Sequence, residues 1–382
     1  MSKIGKLAGL CLFACLILAG SDCCGDHGGG GGGGGDNPPA TPPAAPSNLA
    51  AVAASSSQIN LDWTDNADNE DGFILERKTG VAGTWAEIAT VGANVASSPD
   101  LGLTASTTYY YRVRASNTAG NSTYSNEANA TSWPSGMNLI PAGCFDMGDA
   151  FSEGSSDELP VHNVCITSSF YMDVHEVTNA EYAACVSGGV CAAPSNSASH
   201  TRTSYYGNAT YNNFPVIYVS WNQANAYCAW AGKRLPTEAQ WEYAARGRLS
   251  SKRYSWGDSI SCSNANYGRW DSDDPAHSLS HECWNYGGLD NDTQQVGIYT
   301  PNGYGLYDMT GNVFEWTHDW YSATYYSTSP TNDPPGPASG TYRVDRGGGW
   351  AFVASQMRAA IRPWGAPPAM QDPTLGFRCA KD

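Results

Sequence analysis

The stretch from Gly303 to Trp316, GYGLYDMTGNVFEW, carries side chains whose types and spacing suit a hard cation. Asp308 and Glu315 lie seven residues apart around a Thr-Gly-Asn turn, and Gly303, Gly305 and Gly311 allow backbone conformations that a side chain forbids. If the chain curls there, both carboxylates face one point together with the main-chain carbonyls of Gly311 and Val313. That is an all-oxygen set of the sort Ca2+ prefers. An ordinary glycine turn with two solvated acids satisfies the same spacing. A second constellation is His277 and His281, four apart with Glu282 adjacent, which on a helix could hold zinc. Pro, Ser and Asp surround them without helical period, so a polar loop is expected instead.

The elements that must position such a turn are short. Thr178 with Glu181, Ser220 with Gln223 and Thr237 with Gln240 each form the side-chain pair of a capping box, and each opens a helix. The first helix ends at Gly188-Gly189, the second at Gly232 and the third at Gly247. Tyr227 and Trp230 lie three apart on one face of the second. Met137 to Val164 reads as two short strands around an acidic loop, which Cys144 and Cys165 could cross-link, and Cys185 and Cys191 close a small loop.

The chain has 382 residues, more than a single core usually organises, so two or three domains are expected. A formal charge of -16 argues against a nucleic-acid or anionic-membrane partner and is compatible with calcium. Charged residues make up only 15%, with 42 Gly, 13 Trp and 22 Tyr, which suggests loops held by aromatic packing and cross-links. Residues 1–21, with Lys3 and Lys6 before the run LAGLCLFACLILAG, form an export signal. A Gly- and Pro-rich tether follows over 22–42. Cys23 is a candidate lipidation site, although Gly20, Ser21 and Asp22 match poorly what usually precedes such a cysteine; lipidation and plain secretion both fit. Either places the protein in the periplasm, at the outer membrane or at the cell surface, and licenses disulfides.

From 43 to 133 the segments INLDW, GFILERK, WAEIATV, TYYYRVRASN and SNEANATS alternate between turn formers, as in a β-sandwich. Trp63 is the expected buried aromatic of an early strand, and Tyr109, Tyr111, Val113 and Ala115 one face of a later one, with Tyr109 at the corner position. With its APSNL opening and YRVRASNTAGNSTYSN close, the segment resembles a fibronectin type III domain. A spacer role is expected of it.

NGYGLYDMTGNVFEW, together with SWNQANAYCAWAGKRLPTEAQWEYAARG, RGGGW and LGFRC, resembles the formylglycine-generating enzyme, or sulfatase-modifying factor, family over 137–382. The resemblance implies an irregular α+β, C-type-lectin-like fold with bound calcium, ligated on this turn by Asp308, Gly311, Val313 and Glu315. It implies a second calcium at Asn266 (side chain) and Tyr267 (carbonyl), completed by an acid, with Asp290 and Asp292 both candidates. It also implies a Cys228–Cys379 disulfide, which leaves Cys262 for Cys283. His162, following Glu158 and Pro160, is expected to be structural.

Members of that family oxidise a substrate cysteine with Cu(I) held by two thiolates just after the RGG-[Ser/Gly]-aromatic motif. Here RGGGWAFVASQMRAAIRPWGAPP, from Arg346 to Pro368, contains no cysteine. Phe352 stands nearest the first thiolate position, and Met357 is the only sulfur nearby. One thioether cannot replace two thiolates. The motif's frequent serine is Gly349, and Ala245 and Ala359 stand where a second family disulfide would be. No copper is therefore expected, and no catalytic residue is assigned. The expectation is an exported binding module for a peptide, protein or glycan, with a groove flanked by Trp350, Arg362 and Trp364. The alternative is a sulfatase-modifying-factor-type oxidase or a related enzyme acting on a protein or small molecule.

Overall fold

A computed structural model describes residues 40–268, 283, 291–363 and 365–382. Cys23, His277, His281, Glu282, Asp290 and Trp364 lie outside the described residues. Among those described, no helix is long and apolar enough to cross a membrane.

Residues 47–131 form two facing antiparallel sheets. Strands β1 (Ser47–Ala53), β2 (Gln58–Thr64) and β5 (Ser97–Leu101) make one, in the order β1-β2-β5. The other orders β4 (Ala86–Gly92), β3 (Gly72–Thr79), β6 (Thr108–Asn117) and β7 (Gly120–Asn121), with β8 (Ala128–Thr131) also paired to β6. The strict alternation of β6 buries Tyr109, Tyr111, Val113 and Ala115. They meet Trp63, whose ring lies 5.6 Å from that of Phe73. The Tyr109 hydroxyl accepts a hydrogen bond from the Thr104 amide at 3.0 Å, which fastens the corner as expected.

Beyond residue 136, short elements alternate with long loops. The expected pair of strands between Met137 and Val164 is instead three: β9 (Met137–Ile140), β10 (Gly143–Met147) and β11 (His162–Ile166). Strand β9 joins a different sheet, beside β12 (Phe170–Asp173), whose other neighbour is β16 (Ala380–Lys381). Strands β10 and β11 pair antiparallel with Cys144 directly opposite Cys165, where a disulfide joins them. Helices α1 (Asn179–Ser187), α2 (Trp221–Trp230) and α3 (Glu238–Ala245) begin at the three capping boxes, each closed in both directions. A last sheet orders β14 (Arg343–Arg346), β13 (Phe314–Trp320) and β15 (Leu375–Gly376).

Three further disulfides are present: Cys185–Cys191, Cys228–Cys379 and Cys262–Cys283. All eight cysteines among the described residues are thus cross-linked.

The interior also carries a lattice of ion pairs. Arg346, Arg362 and Arg378 are among the largest fully buried side chains. Glu242 receives Arg246 and Arg346, Glu238 receives Arg362 at 2.7 and 3.1 Å, and Glu158 receives Arg358 at 2.6 and 2.9 Å. A buried guanidinium recovers hydration through such charged, directional partners, bidentate at Glu238 and Glu158 and shared with backbone carbonyls at Arg346.

Asp319, which accepts the Glu238 amide at 2.7 Å, lacks such compensation. Burial first, and the Glu238 charge next, push its carboxyl up to about 8, against the pull of Arg362 and Arg343. Between the ordinary carboxyl range near pH 4 and about pH 8 the folded protein therefore holds a proton that the unfolded chain has released. This group's contribution is complete at low pH and lost as pH rises through about 8. In urea unfolding from pH 5 to 8.5, the Asp319→Asn variant is expected to lose less stability with rising pH than the wild type. Parallel pH profiles would refute the assignment.

Candidate functional site

The turn at 303–316 is built on helix α3. The Asn302 side chain donates to the Ala244 and Ala245 carbonyls at 2.8 and 3.2 Å and accepts the Tyr304 and Leu306 amides at 2.9 and 3.2 Å. It ties the helix end to the turn. Gly311 has φ +83°, and a Cβ there would lie 2.5 Å from the Asn266 carbonyl oxygen, so only glycine fits. Asp308 and Asn312 adopt the left-handed region, with φ of 56° and 64°. That conformation is strained for a side chain other than glycine and recurs where function over-determines the backbone.

The two acids expected to face one cation have different surroundings. Glu315 is fully buried, with one oxygen accepting Arg378 at 2.7 Å and the other accepting Arg378 at 2.7 Å and the Trp241 indole at 2.8 Å. Asp308 accepts the Gly297 amide at 2.7 Å and stands against Glu176. Glu176 is 0% exposed; its Oε1 accepts from Asn312 at 3.0 Å, no donor group reaches its Oε2, and its carboxyl lies within hydrogen-bonding reach of that of Asp308. Burial raises both carboxyls, and Glu176 is raised further by the charges of Asp308 and Glu315 against that of Arg378 alone.

An orphaned carboxylate oxygen beside a second buried carboxylate is what a hard cation would relieve. Asp308 and Glu176 fit that requirement, whereas Glu315 is already committed to Arg378 and Trp241. Among the described residues no three His, Cys, Asp or Glu side chains converge as a ligand set, so a cation here would also need carbonyl oxygens such as those of Gly311 and Val313. Sequence reasoning missed Glu176, 132 residues before Asp308 in the DVHEVTN segment, because no local spacing links the two.

At the other expected cation position, Asn266 is buried, and its amide donates to the Asp292 carbonyl at 2.9 Å and to Asn312 at 3.2 Å. Tyr267 is buried beside it in sequence. The Asp292 carboxylate points elsewhere, accepting Ser199, Thr201 and the Thr293 amide and pairing with Arg202. Of the two acids considered, Asp292 is therefore occupied, and Asp290 lies outside the described residues.

The groove expectation needs correction. Trp350 is 1% exposed, its indole donating to the Pro373 carbonyl at 3.1 Å, and Arg362 is 1% exposed and locked onto Glu238. Both are interior braces, because each has a polar group that only an internal partner satisfies. His162 packs its ring 4.7 Å from that of Tyr326, with Nδ1 3.0 Å from the Pro160 carbonyl oxygen and Nε2 without a hydrogen-bond partner.

A real cavity of about 210 Å³ lies nearby. Its described walls include Phe314, Phe352, Ile361, Pro363, Met370 and Leu375, with Asp345 and Asp372 as its acids. Phe352 packs edge-on against Phe314 at 4.9 Å. Met357 is 0% exposed, and a Cβ on Gly348 would meet its methyl carbon at 2.4 Å, so its thioether fills the core.

These features define a β-sandwich followed by a disulfide-braced α+β domain built around a glycine turn and an aromatic-walled cavity. A fibronectin type III model matches residues 44–131, and a sulfatase-modifying factor enzyme 1-like domain model matches residues 123–382. The chain belongs to the sulfatase-modifying factor enzyme 1-like family. It is 39% identical over 288 residues to a formylglycine-generating enzyme of Streptomyces coelicolor, covering 65% of this chain and 89% of that protein. It is 39% identical over 175 residues to a Bos taurus protein named inactive C-alpha-formylglycine-generating enzyme 2, covering 44% of this chain and 50% of that one. In fold it resembles PvdO from Pseudomonas aeruginosa, with a TM-score of 0.52 and 26% identity over 64% of this chain and 94% of that one.

Proposed function

We propose that this is an exported, calcium-braced binding module of the family that has kept the scaffold and lost the copper oxidase chemistry. The observation that carries this reading is the state of sulfur around the cavity. Phe352 lines it where a thiolate would be required, Met357 is packed away, and every cysteine of the domain among the described residues is in a disulfide. The family's Cu(I) site takes two thiolates, and a phenyl ring with a single thioether packed in the core does not replace them. The similarity to a relative named inactive is consistent with this reading. Export, with or without a lipid on Cys23, accords with the four cross-links.

The deciding experiment is Cu(I) titration of the disulfide-intact protein with oxygen uptake on a cysteine peptide. No stoichiometric tight binding and no uptake are expected. Sub-micromolar binding with turnover would establish the oxidase alternative.

Calcium belongs to the same reading, held by Asp308 with Glu176 and by carbonyls of the turn, and it would neutralise the buried carboxylates and fix the strained backbone at 308 and 312. At free calcium about a hundredfold above the dissociation constant, stability rises by about 2.7 kcal/mol. Thermal unfolding with calcium and with chelator should show that difference in the wild type and not in Asp308→Asn. A calcium response that survives in the variant would place the ion elsewhere.

A further inference from the structure

The cavity beside β14 is walled by hydrocarbon and aromatic side chains and by two acids, Asp345 and Asp372. Along β14, Val344 and Arg346 face the core, and the alternation of a strand turns Asp345 to the opposite side, where it lines the cavity. Asp345 is 7% exposed and its Oδ1 has no hydrogen-bond partner. The second acid, Asp372, has one oxygen committed to the Thr374 amide at 2.9 Å and hydroxyl at 2.6 Å.

No Lys, Arg or His is among the described lining residues. Each of the two nearest guanidinium groups in sequence makes its contacts elsewhere and keeps an Nε without a hydrogen-bond partner. Arg346 points to Glu242 and to the carbonyls of Ala359, Ala360 and Ile361, and Arg343 lies over the rings of Trp221 and Trp320 at 3.7 and 3.5 Å. The rest of the wall is hydrocarbon and aromatic. A neutral hydrophobe filling this space would leave a buried carboxylate oxygen unpaired, and an anion would meet two acids. A metal ion would find only two acids among the described walls, one of them partly committed to Thr374. What remains is a cation with an apolar body.

We propose that this cavity binds the ammonium group of an aliphatic amine, with Asp345 as its counter-ion and Phe314, Phe352 and Met370 along its hydrocarbon stem. The proposal rests on the binding reading above and gives it a ligand class. Burial pushes Asp345 up to about 7, with the Asp372 and Glu238 charges adding to it and its own backbone amide and Arg346 opposing. The aromatic walls add attraction for a cation near a ring face. Two sources present this group: a lysine side chain of a protein, and a free alkyl diamine.

The test is titration calorimetry on the full chain with n-pentylamine, 1-pentanol and pentanoate. Saturable binding of pentylamine, at least about tenfold tighter than pentanol and with pentanoate weakest, is expected. Asp345→Asn keeps the shape and should bring pentylamine to the level of pentanol. Met370→Lys, at a 39% exposed wall position that leaves Asp345 in place, should abolish amine binding by supplying a tethered ammonium. Nα-acetyl-lysine methylamide and 1,5-diaminopentane then separate the sources. Binding of the first supports a lysine-bearing protein, and binding of the second alone supports a free amine. Equal affinity for pentylamine and pentanol, no binding of either, or an amine preference that persists in Asp345→Asn overturns the assignment. Failure here with no copper binding leaves the module reading standing, whereas copper-dependent turnover removes that reading itself.

Discussion

Replacing Cys228 and Cys379 together by alanine should lower unfolding stability by about 5 kcal/mol, the loop-closure entropy that the chain-entropy model assigns to a bridge of this span. The two residues are 151 apart, and the bridge joins helix α2 to the strand-flanking segment before β16. Cys185 and Cys191, only six apart, close a much shorter loop, for which the same model gives about 2 kcal/mol. Urea midpoints of the two double-alanine variants, measured at saturating calcium, compare them directly. The long bridge should cost clearly more; equal losses would mean that local packing, and not chain closure, sets the contribution.

The second large effect concerns Arg346. Its guanidinium joins Glu242 on α3 to three consecutive carbonyls, those of Ala359, Ala360 and Ile361, and its side chain is 0% exposed. Arg346→Ala leaves Glu242 with Arg246 and the Gly148 amide and strands those carbonyls in the interior, a change that typically costs about 3–5 kcal/mol. Burial raises Glu242, while Arg246 and Arg346 outweigh it and hold the carboxyl below its usual range. Arg346→Lys should recover little, because one ammonium cannot span a carboxylate and three carbonyls as a planar fork does. Urea unfolding gives the loss, and amide exchange at 359–361 should rise in both variants. Full recovery by lysine would show that charge alone matters.

The contrast between these two features shows what the sequence makes legible. Helix starts were readable because a capping box acts over three residues, and Thr178, Ser220 and Thr237 all cap as their neighbours require. The sandwich was readable because Tyr109 to Ala115 alternate within one strand. The four disulfides followed from few cysteines and from family resemblance, and all four are present.

What stayed hidden lies between residues far apart in sequence. Arg346 with Glu242, Arg378 with Glu315, and Glu176 against Asp308 are long-range juxtapositions without local periodicity. Trp350 and Arg362 were expected at an open groove because aromatic and cationic residues are common at binding surfaces. Their polar groups instead satisfy an internal carbonyl and an internal carboxylate. Asp345 went unnoticed between Val344 and Arg346, since only the direction of strand β14 separates a core arginine from a cavity acid.

The span of the Cys228–Cys379 bridge also dictates a schedule. A chain emerging from the ribosome cannot close that link until the 151 residues after Cys228 have followed. The sandwich, whose strands all fall within 47–131 and include no cysteine, can be complete long before that. Closure of this bridge is therefore a late event in the second domain and requires an oxidant, whereas the cysteine-free sandwich upstream requires none.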